Sequence, residues 1–594
     1  MLRRLTTATL MAALIVPGVG SAADEPSSLE GLIDEIGRTM LSRFPEDVTD
    51  LGLSAELGLD DSGLNDLSAE YGAETASLAA NALERLAAID PDTLSGDEPV
   101  THAVAEWYLR DIVSMDQVAD HGYAVNFITG AHVNFPEFMA DVHPLDDLAD
   151  AEAYVARLEA AAGQVAQVGE AVRRSEAAGN LPTRRGMDIA GWQVGNNLVP
   201  VERHPLLVDL ADRLRELELE VAQRDRLVTT ARATIETQLG PAYEGLGSTI
   251  RSAAARSDDE PGVLHHPGGD EFYATVLAHH LTTPLTPTEV HEIGLAEVER
   301  LKGELAEAMI AQGIDVDDLG LARAIEAVSR SMQVVPLQSD ADREALLADT
   351  EAFIADTADA FTPMFATRPT SPIEVQRPRP GREGSGGAYY RPPPLTADRP
   401  GIYYLALGGT GFPMDTYATT NYHEAVPGHH FQLALQRESE NLPLLQWATT
   451  FTGYAEGWAL YAERLAAEAG SYEDDPLGDI GRLRMELLRA ARAVADTGIH
   501  ALGWSRDEAV AYLMALGFPE PWAASEVDRY VVWPGQAPSY IIGMLEILRL
   551  RDQARATLGE DFDIAGFHDA VLRHGSVPLE VLPMAVDGWI DSVS

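Results

Sequence analysis

The stretch from Ala153 to Ala178, AYVARLEAAAGQVAQVGEAVRRSEAA, is rich in Ala, Leu, Val and Arg, with apolar residues recurring at helical spacing. A chain written this way buries its apolar stripes against other helices. The same pattern predicts helix over Leu206–Leu239, with Pro241 opening the next segment, over Thr286–Gln312 and over Glu344–Phe361. Thr286-Pro287-Thr288-Glu289 is a helix start, with proline in the first turn. The fold class is therefore mainly α, without internal repeats. The segment Arg256–Gly269, with Asp, Pro, Gly and paired His, reads as a loop joining two lobes. An N-terminal helical lobe would cover 24–258 and a metal-binding catalytic lobe 259–594, the two forming one compact unit.

One region breaks the pattern. From Thr367 to Gly411 the chain is rich in Pro, Gly and Arg and carries the pairs Tyr389-Tyr390 and Tyr403-Tyr404. Ile402–Leu407, bounded by Pro400-Gly401 and Gly408-Gly409, reads as a strand. A small sheet is expected just ahead of the densest histidine cluster.

The 594 residues include no cysteine, which excludes disulfides, thiolate nucleophiles, iron–sulfur clusters, thiolate-bound zinc and a cysteine-linked lipid anchor. Any metal must rest on His, Asp or Glu. The formal net charge of −52 sets aside nucleic acid and anionic lipid as partners. Lys302 is the sole lysine, and acidity of this degree suits a halophilic setting, where salt screens self-repulsion. Arg3 and Arg4, an apolar run over Leu5–Val19 and small residues at Gly20–Ala23 read as a signal peptide over 1–23. No later stretch is long and apolar enough to span a bilayer. The mature chain is expected to be exported, in a Gram-negative cell to the periplasm, without membrane insertion.

Of the 16 histidines, three fall within Thr420–Gln432: His423, His429 and His430, with Glu424 beside the first. Zinc hydrolases need neutral imidazoles to hold the ion and a carboxylate to take a proton from the attacking water. In the helical His-Glu-x-x-His pattern the two histidines share a face; here the i+4 position is Pro427. A two-residue bulge over Ala425–Gly428 would bring His429 to the geometry of i+4. A straighter helix would instead use His430, on nearly the same face about 10 Å along the axis. His429 is the favoured second ligand and His430 the alternate.

A third ligand should come from Trp447–Leu465, which is apolar and helical yet carries Glu456 and Glu463. A glutamate among Tyr454, Trp458 and Leu460 is costly to bury unless paired or metal-bound. Glu456 is the expected ligand, and Glu463, two turns on, either supports a ligand or pairs with an arginine. Arg492, Asp496 and His500 recur at i, i+4 and i+8, and His500 could reach a tetrahedral intermediate. Pro534–Tyr540 opens another helix, whose Tyr540 hydroxyl could serve a developing oxyanion or simply pack in the core. Arg529 and Tyr530 precede it.

These residues resemble a known family. HEAVPGHHFQ at 423–432, EGWALYAE at 456–463, DTGIHALGW at 496–504, PGQAPSY at 534–540, RPGIYYLAL at 399–407 and LTPTEVHEIGLAEV at 285–298 are similar to the bacterial family of domain of unknown function 885. Its members are often exported and are regarded as candidate zinc metallopeptidases. The resemblance implies a two-lobed, mostly helical, gluzincin-like fold with a deep channel. It implies His423, His429 and Glu456 as metal ligands and Glu424 as general base. It also implies that the 402–407 strand binds substrate backbone and that His500 or Tyr540 steadies the oxyanion.

The expected function is that of an exported zinc-dependent metallopeptidase hydrolysing short peptides, with Zn2+ as cofactor and Glu424 activating the water. The alternatives are a metal-dependent hydrolase or acyl-transfer enzyme acting on a non-peptide amide or ester, or an inactive periplasmic binding protein. A His/Glu donor set also accepts manganese or cobalt.

Overall fold

The computed structural model describes residues 28–379, 387–395 and 399–593; the expected signal peptide lies outside them. The fold is mainly α, as the periodicity requires, with five short strands among the described residues. None of the described helices is long and apolar enough to cross a membrane.

Helix α1 (Leu148–Ala178) starts on Asp147, whose side chain accepts from the Ala149 and Asp150 N–H groups, and stops at Gly179 in the left-handed conformation. Its apolar side joins a core built from Val125 to Ala254. The expected Leu206–Leu239 helix is two helices, Pro205–Arg213 and Val221–Thr234, the latter continued by a π-helical turn over Ile235–Leu239. At Arg215–Glu220 acids alternate with Leu217 and Leu219, which pack on the same core, and this two-residue period breaks the helix between them.

A larger core draws Val100, Val104 and Trp107 together with residues from Val263 to Ile590, so it takes side chains from both sides of position 258. Helix α2 (Pro287–Ala311) opens with a reciprocal cap between Thr286 and Glu289. The strands form two sheets. β1 (Val334–Pro336) pairs with β5 (Gly411–Pro413), and β2 (Ile373–Gln376), β3 (Ala388–Arg391) and β4 (Gly401–Leu405) form a sheet in the order β2-β4-β3. β4 is thus the expected strand, but it is the inner one, parallel to β2 and antiparallel to β3. Its backbone groups are engaged on both sides, so it has no free edge to offer a substrate.

Five further helices carry the site: α3 (Tyr417–Glu424), α4 (His429–Glu438), α5 (Thr452–Glu468), α6 (Pro476–Leu502) and, after α7 (Glu520–Val532), α8 (Ser539–Leu558). α2 lies along α6, and α5 along α8. The α5–α8 crossing is close because glycines face each other: a Cβ on Gly457 would stand 2.5 Å from the Gly543 Cα. Gly457 adjoins Glu456, so this crossing also sets the height of a site residue. Gly457→Val should cost about 3 kcal/mol, since backbone rather than a flexible side chain blocks the methyl groups. A lowered urea midpoint of the metal-free protein is the expected reading, and an unchanged midpoint would contradict the close crossing.

Candidate metal centre

His423 sits in the last turn of α3 and His429 is the first residue of α4. The helix does not bulge between them, as the sequence suggested; it ends and restarts. Ala425 and Gly428 take non-helical dihedrals, and the Val426–Pro427 peptide is cis. The backbone passes so near the end of α3 that a Cβ on Gly428 would lie 1.9 Å from the His423 carbonyl oxygen, so only glycine fits. Trp458 of α5 fastens the loop by donating its indole N–H to the Pro427 carbonyl at 2.9 Å.

This break separates the two candidate second ligands. His429 faces His423, with ring centroids 4.8 Å apart and planes at 84°. His430 turns the other way, its Nδ1 hydrogen-bonded to the Tyr390 hydroxyl of β3 at 2.9 Å. Burial lowers the His430 pKa to about 4, which keeps that ring neutral. Among the described residues the group able to hold a metal is His423, His429 and Glu456, with one donor atom from each lying within 4.8 Å of the others.

The distances suit a single ion. Glu456 Oε2 is 3.5 Å from His423 Nε2 and 3.3 Å from His429 Nε2. Donors at usual zinc distances in a tetrahedron lie roughly 3.3–3.5 Å apart. Glu456 Oε2 and His429 Nδ1 are buried without a hydrogen-bond partner, as is Oε2 of Glu424. Burying polar atoms without partners is costly, and an ion at the centre would satisfy the Glu456 oxygen. The residues present therefore fit a divalent metal of the zinc type.

Glu463 supports the set from one heptad along α5. His423 Nδ1 donates to its Oε1 at 2.8 Å, which turns Nε2 toward Glu456. Thr419 donates to the other oxygen at 2.6 Å, and Arg489 of α6 approaches Oε1 at 3.4 Å. Glu463 thus both holds His423 and pairs with an arginine. Burial draws the His423 pKa down, but Glu456, Glu463 and Glu424 together lift it to about 10. Burial raises the Glu456 pKa, yet His423 and His429 hold it well below the usual carboxylate range. The same negative field that favours a proton on His423 would favour a dication. For Glu424 burial prevails over the nearby imidazoles, and its pKa is raised.

Tyr540, at the start of α8, stacks on His423 with centroids 6.2 Å apart. Arg489 and Arg492 lie against its ring, and its hydroxyl is 3.4 Å from Arg529 Nη2. His500 does not reach the centre, contrary to expectation. It is fully buried, with Nδ1 accepting from the Val263 N–H at 3.3 Å and Nε2 donating to the Tyr530 carbonyl at 3.0 Å. With both nitrogens bound to backbone and its ring stacked on Tyr273, it braces the 256–269 connection. Asp496 is also internal: it accepts from the Tyr273 hydroxyl at 2.6 Å and from the Gly535 N–H at 3.1 Å, tying the turn before Tyr540 to α6.

Arg489 and Glu526 were not singled out in the sequence. Arg489 lies three residues before Arg492 and so continues the row on α6. Glu526, on α7, accepts from Arg492 at 2.8 Å, and no local spacing ties these two residues together.

The profile of the family described as "Bacterial protein of unknown function (DUF885)" matches residues 45–586, and the chain belongs to that family. Among solved structures, "the putative lipoprotein from Colwellia psychrerythraea" is 30% identical, with a TM-score of 0.89 over 95% of this chain and 98% of that one. "A putative lipoprotein of unknown function from Shewanella oneidensis", 16% identical, shares the fold with a TM-score of 0.71, covering 94% of this chain and 99% of that one. No curated protein matches.

Glu463→Gln, which keeps the side chain's shape but removes the charge behind His423, should weaken zinc binding about 10- to 100-fold in a competition titration; undiminished affinity would deny Glu463 this role. Burial raises the Asp496 pKa from 3.8 to about 7. The folded state then holds this proton more tightly than the unfolded chain. The stability it contributes is complete below about pH 4 and is lost as pH rises through 7. Asp496→Asn, which stays uncharged and can still accept both hydrogen bonds, should remove that slope. Parallel pH–stability curves for the two proteins would contradict the assignment.

Proposed function

We propose that this protein is an exported, zinc-dependent peptidase that hydrolyses short peptides. The observation that carries the reading is the set of His423 Nε2, His429 Nε2 and Glu456 Oε2 around one point, with the buried, unpartnered Glu424 Oε2 on a carboxylate that interacts with all three residues. A zinc ion held by these donors supplies Lewis acidity, polarising the scissile carbonyl and making water more acidic.

The chain's own residues complete the chemistry. Glu424, with its pKa raised by burial, takes a proton from the attacking water and delivers it to the departing amine. A C–O bond forms, the C–N bond breaks, and no external acid is needed. Tyr540, whose ring stacks on His423, carries a hydroxyl that can donate to the carbonyl oxygen as negative charge develops. Glu463 and Thr419 keep His423 in one tautomer throughout. β3 is an edge strand beside α4 and can pair with an extended peptide, the role that inner strand β4 cannot fill. Export is supported by the basic, apolar and small-residue order of 1–23 and by the description of the Colwellia relative as a putative lipoprotein.

Glu424→Gln should keep one zinc per chain by elemental analysis while peptide hydrolysis falls about 100- to 10,000-fold. Full activity in this variant, or wild-type protein that takes up no zinc, would overturn the reading.

A further inference from the structure

Three guanidinium groups surround Tyr540, and two of them are neutralised. Arg492 pairs with Glu526 at 2.8 Å and Arg489 with Glu463 at 3.4 Å. Arg529 has no carboxylate within 4 Å among the described residues. Its Nη2 donates to the Gln536 side-chain oxygen at 2.6 Å and lies 3.4 Å from the Tyr540 hydroxyl. The guanidinium leans over the Trp533 ring at 5.5 Å. It is half-buried, as are His429 and Glu456, while Tyr540, Gln536 and His423 are buried.

A fork of N–H donors with no carboxylate in direct contact, beside the hydroxyl of a tyrosine that stacks on His423, suits a carboxylate. In a chain of net charge −52, Glu526, one turn back on α7 and paired with Arg492, acts on Arg529 through space, but no carboxylate occupies its fork directly. A peptide's terminal carboxylate approaching so acidic a protein needs such a point of attraction.

Resting on the peptidase reading above, we propose that Arg529 binds the C-terminal carboxylate of the substrate, so that the enzyme acts at the C-terminal end of short peptides. The Tyr540 ring and hydroxyl bridge the two ends of the site, and the Arg529 guanidinium lies within about 13 Å of the His423 ring. Roughly three extended residues span that distance. The bond cut therefore lies no more than about three residues from the C-terminus, and the Gln536 amide and Trp533 ring hold the guanidinium in place.

The test uses the full-length, zinc-loaded protein and an N-acylated tetrapeptide, supplied as the free acid and as its C-terminal amide. Wild type should cleave the acid with a kcat/KM about 10- to 100-fold above that of the amide, mostly through KM, as expected for a lost charged hydrogen bond. Arg529→Gln should bring the acid down to the level of the amide, and Arg529→Lys, a second variant should the first misfold, should keep part of the preference. Equal cleavage of acid and amide by wild type overturns the anchor and leaves the peptidase reading standing. A preference that survives in Arg529→Gln also overturns it. Calorimetric titration of both peptides into Glu424→Gln separates the two ideas. Tighter binding of the acid, lost on adding Arg529→Gln, supports the anchor even where wild type cleaves nothing and the peptidase reading fails. No binding and no cleavage of either peptide overturns both.

Discussion

Two glutamates one heptad apart on α5 hold the His423 imidazole between them, and the rest of the site is arranged around that grip. Glu463 fixes Nδ1 at 2.8 Å, and Glu456 stands 3.5 Å from Nε2. A helix places residues i and i+7 on one face two turns apart, so a single element supplies both ends of the clamp. The imidazole has no freedom to turn, and His429 and Glu456 meet it from fixed positions. That constraint explains the glycine contact between α5 and α8: moving α5 would shift Glu456 and Glu463 together and leave His423 bound to neither.

Such a concentration of carboxylates is stable only with compensation from neighbouring elements. Glu424, Glu456 and Glu463 are drawn together inside a protein that already carries a large negative charge. Arg489 reaches Glu463 from α6, and Arg492 binds Glu526 on α7. Truncating one member of a buried pair exposes its partner's charge to the low-polarity interior, which costs far more than the pair contributes. α6 thus acts as an internal counter-charge, and Asp496 on the same helix anchors the turn that presents Tyr540. Packing, electrostatics and the proposed chemistry meet on this one helix.

Much of this was legible in the chain. Helical periodicity marked α1 and α2, the reciprocal Thr286–Glu289 cap marked where α2 begins, and the apolar setting of Glu456 marked it as a buried carboxylate in need of partners. The His-Glu pair pointed to the centre. Whether His429 or His430 completed it could not be read, because the answer depends on how the chain turns at Ala425–Gly428. That turn is set by the Trp458–Pro427 contact and by a backbone approach only glycine tolerates. His500 was misread for a related reason: spacing along α6 gives a shared face, but not what the neighbouring elements place against it. There Val263 and Tyr530 supply backbone partners. β4 was found as a strand, but its inner position depends on pairing with segments remote in sequence.

The proposed function requires that one divalent ion bind to His423, His429 and Glu456. Crystals of the zinc-loaded protein, with diffraction collected on both sides of the zinc absorption edge, address it directly. A single strong anomalous peak bounded by His423 Nε2, His429 Nε2 and Glu456 Oε2 is expected. A peak coordinated by His430, or the absence of any peak between α3, α4 and α5, would contradict it.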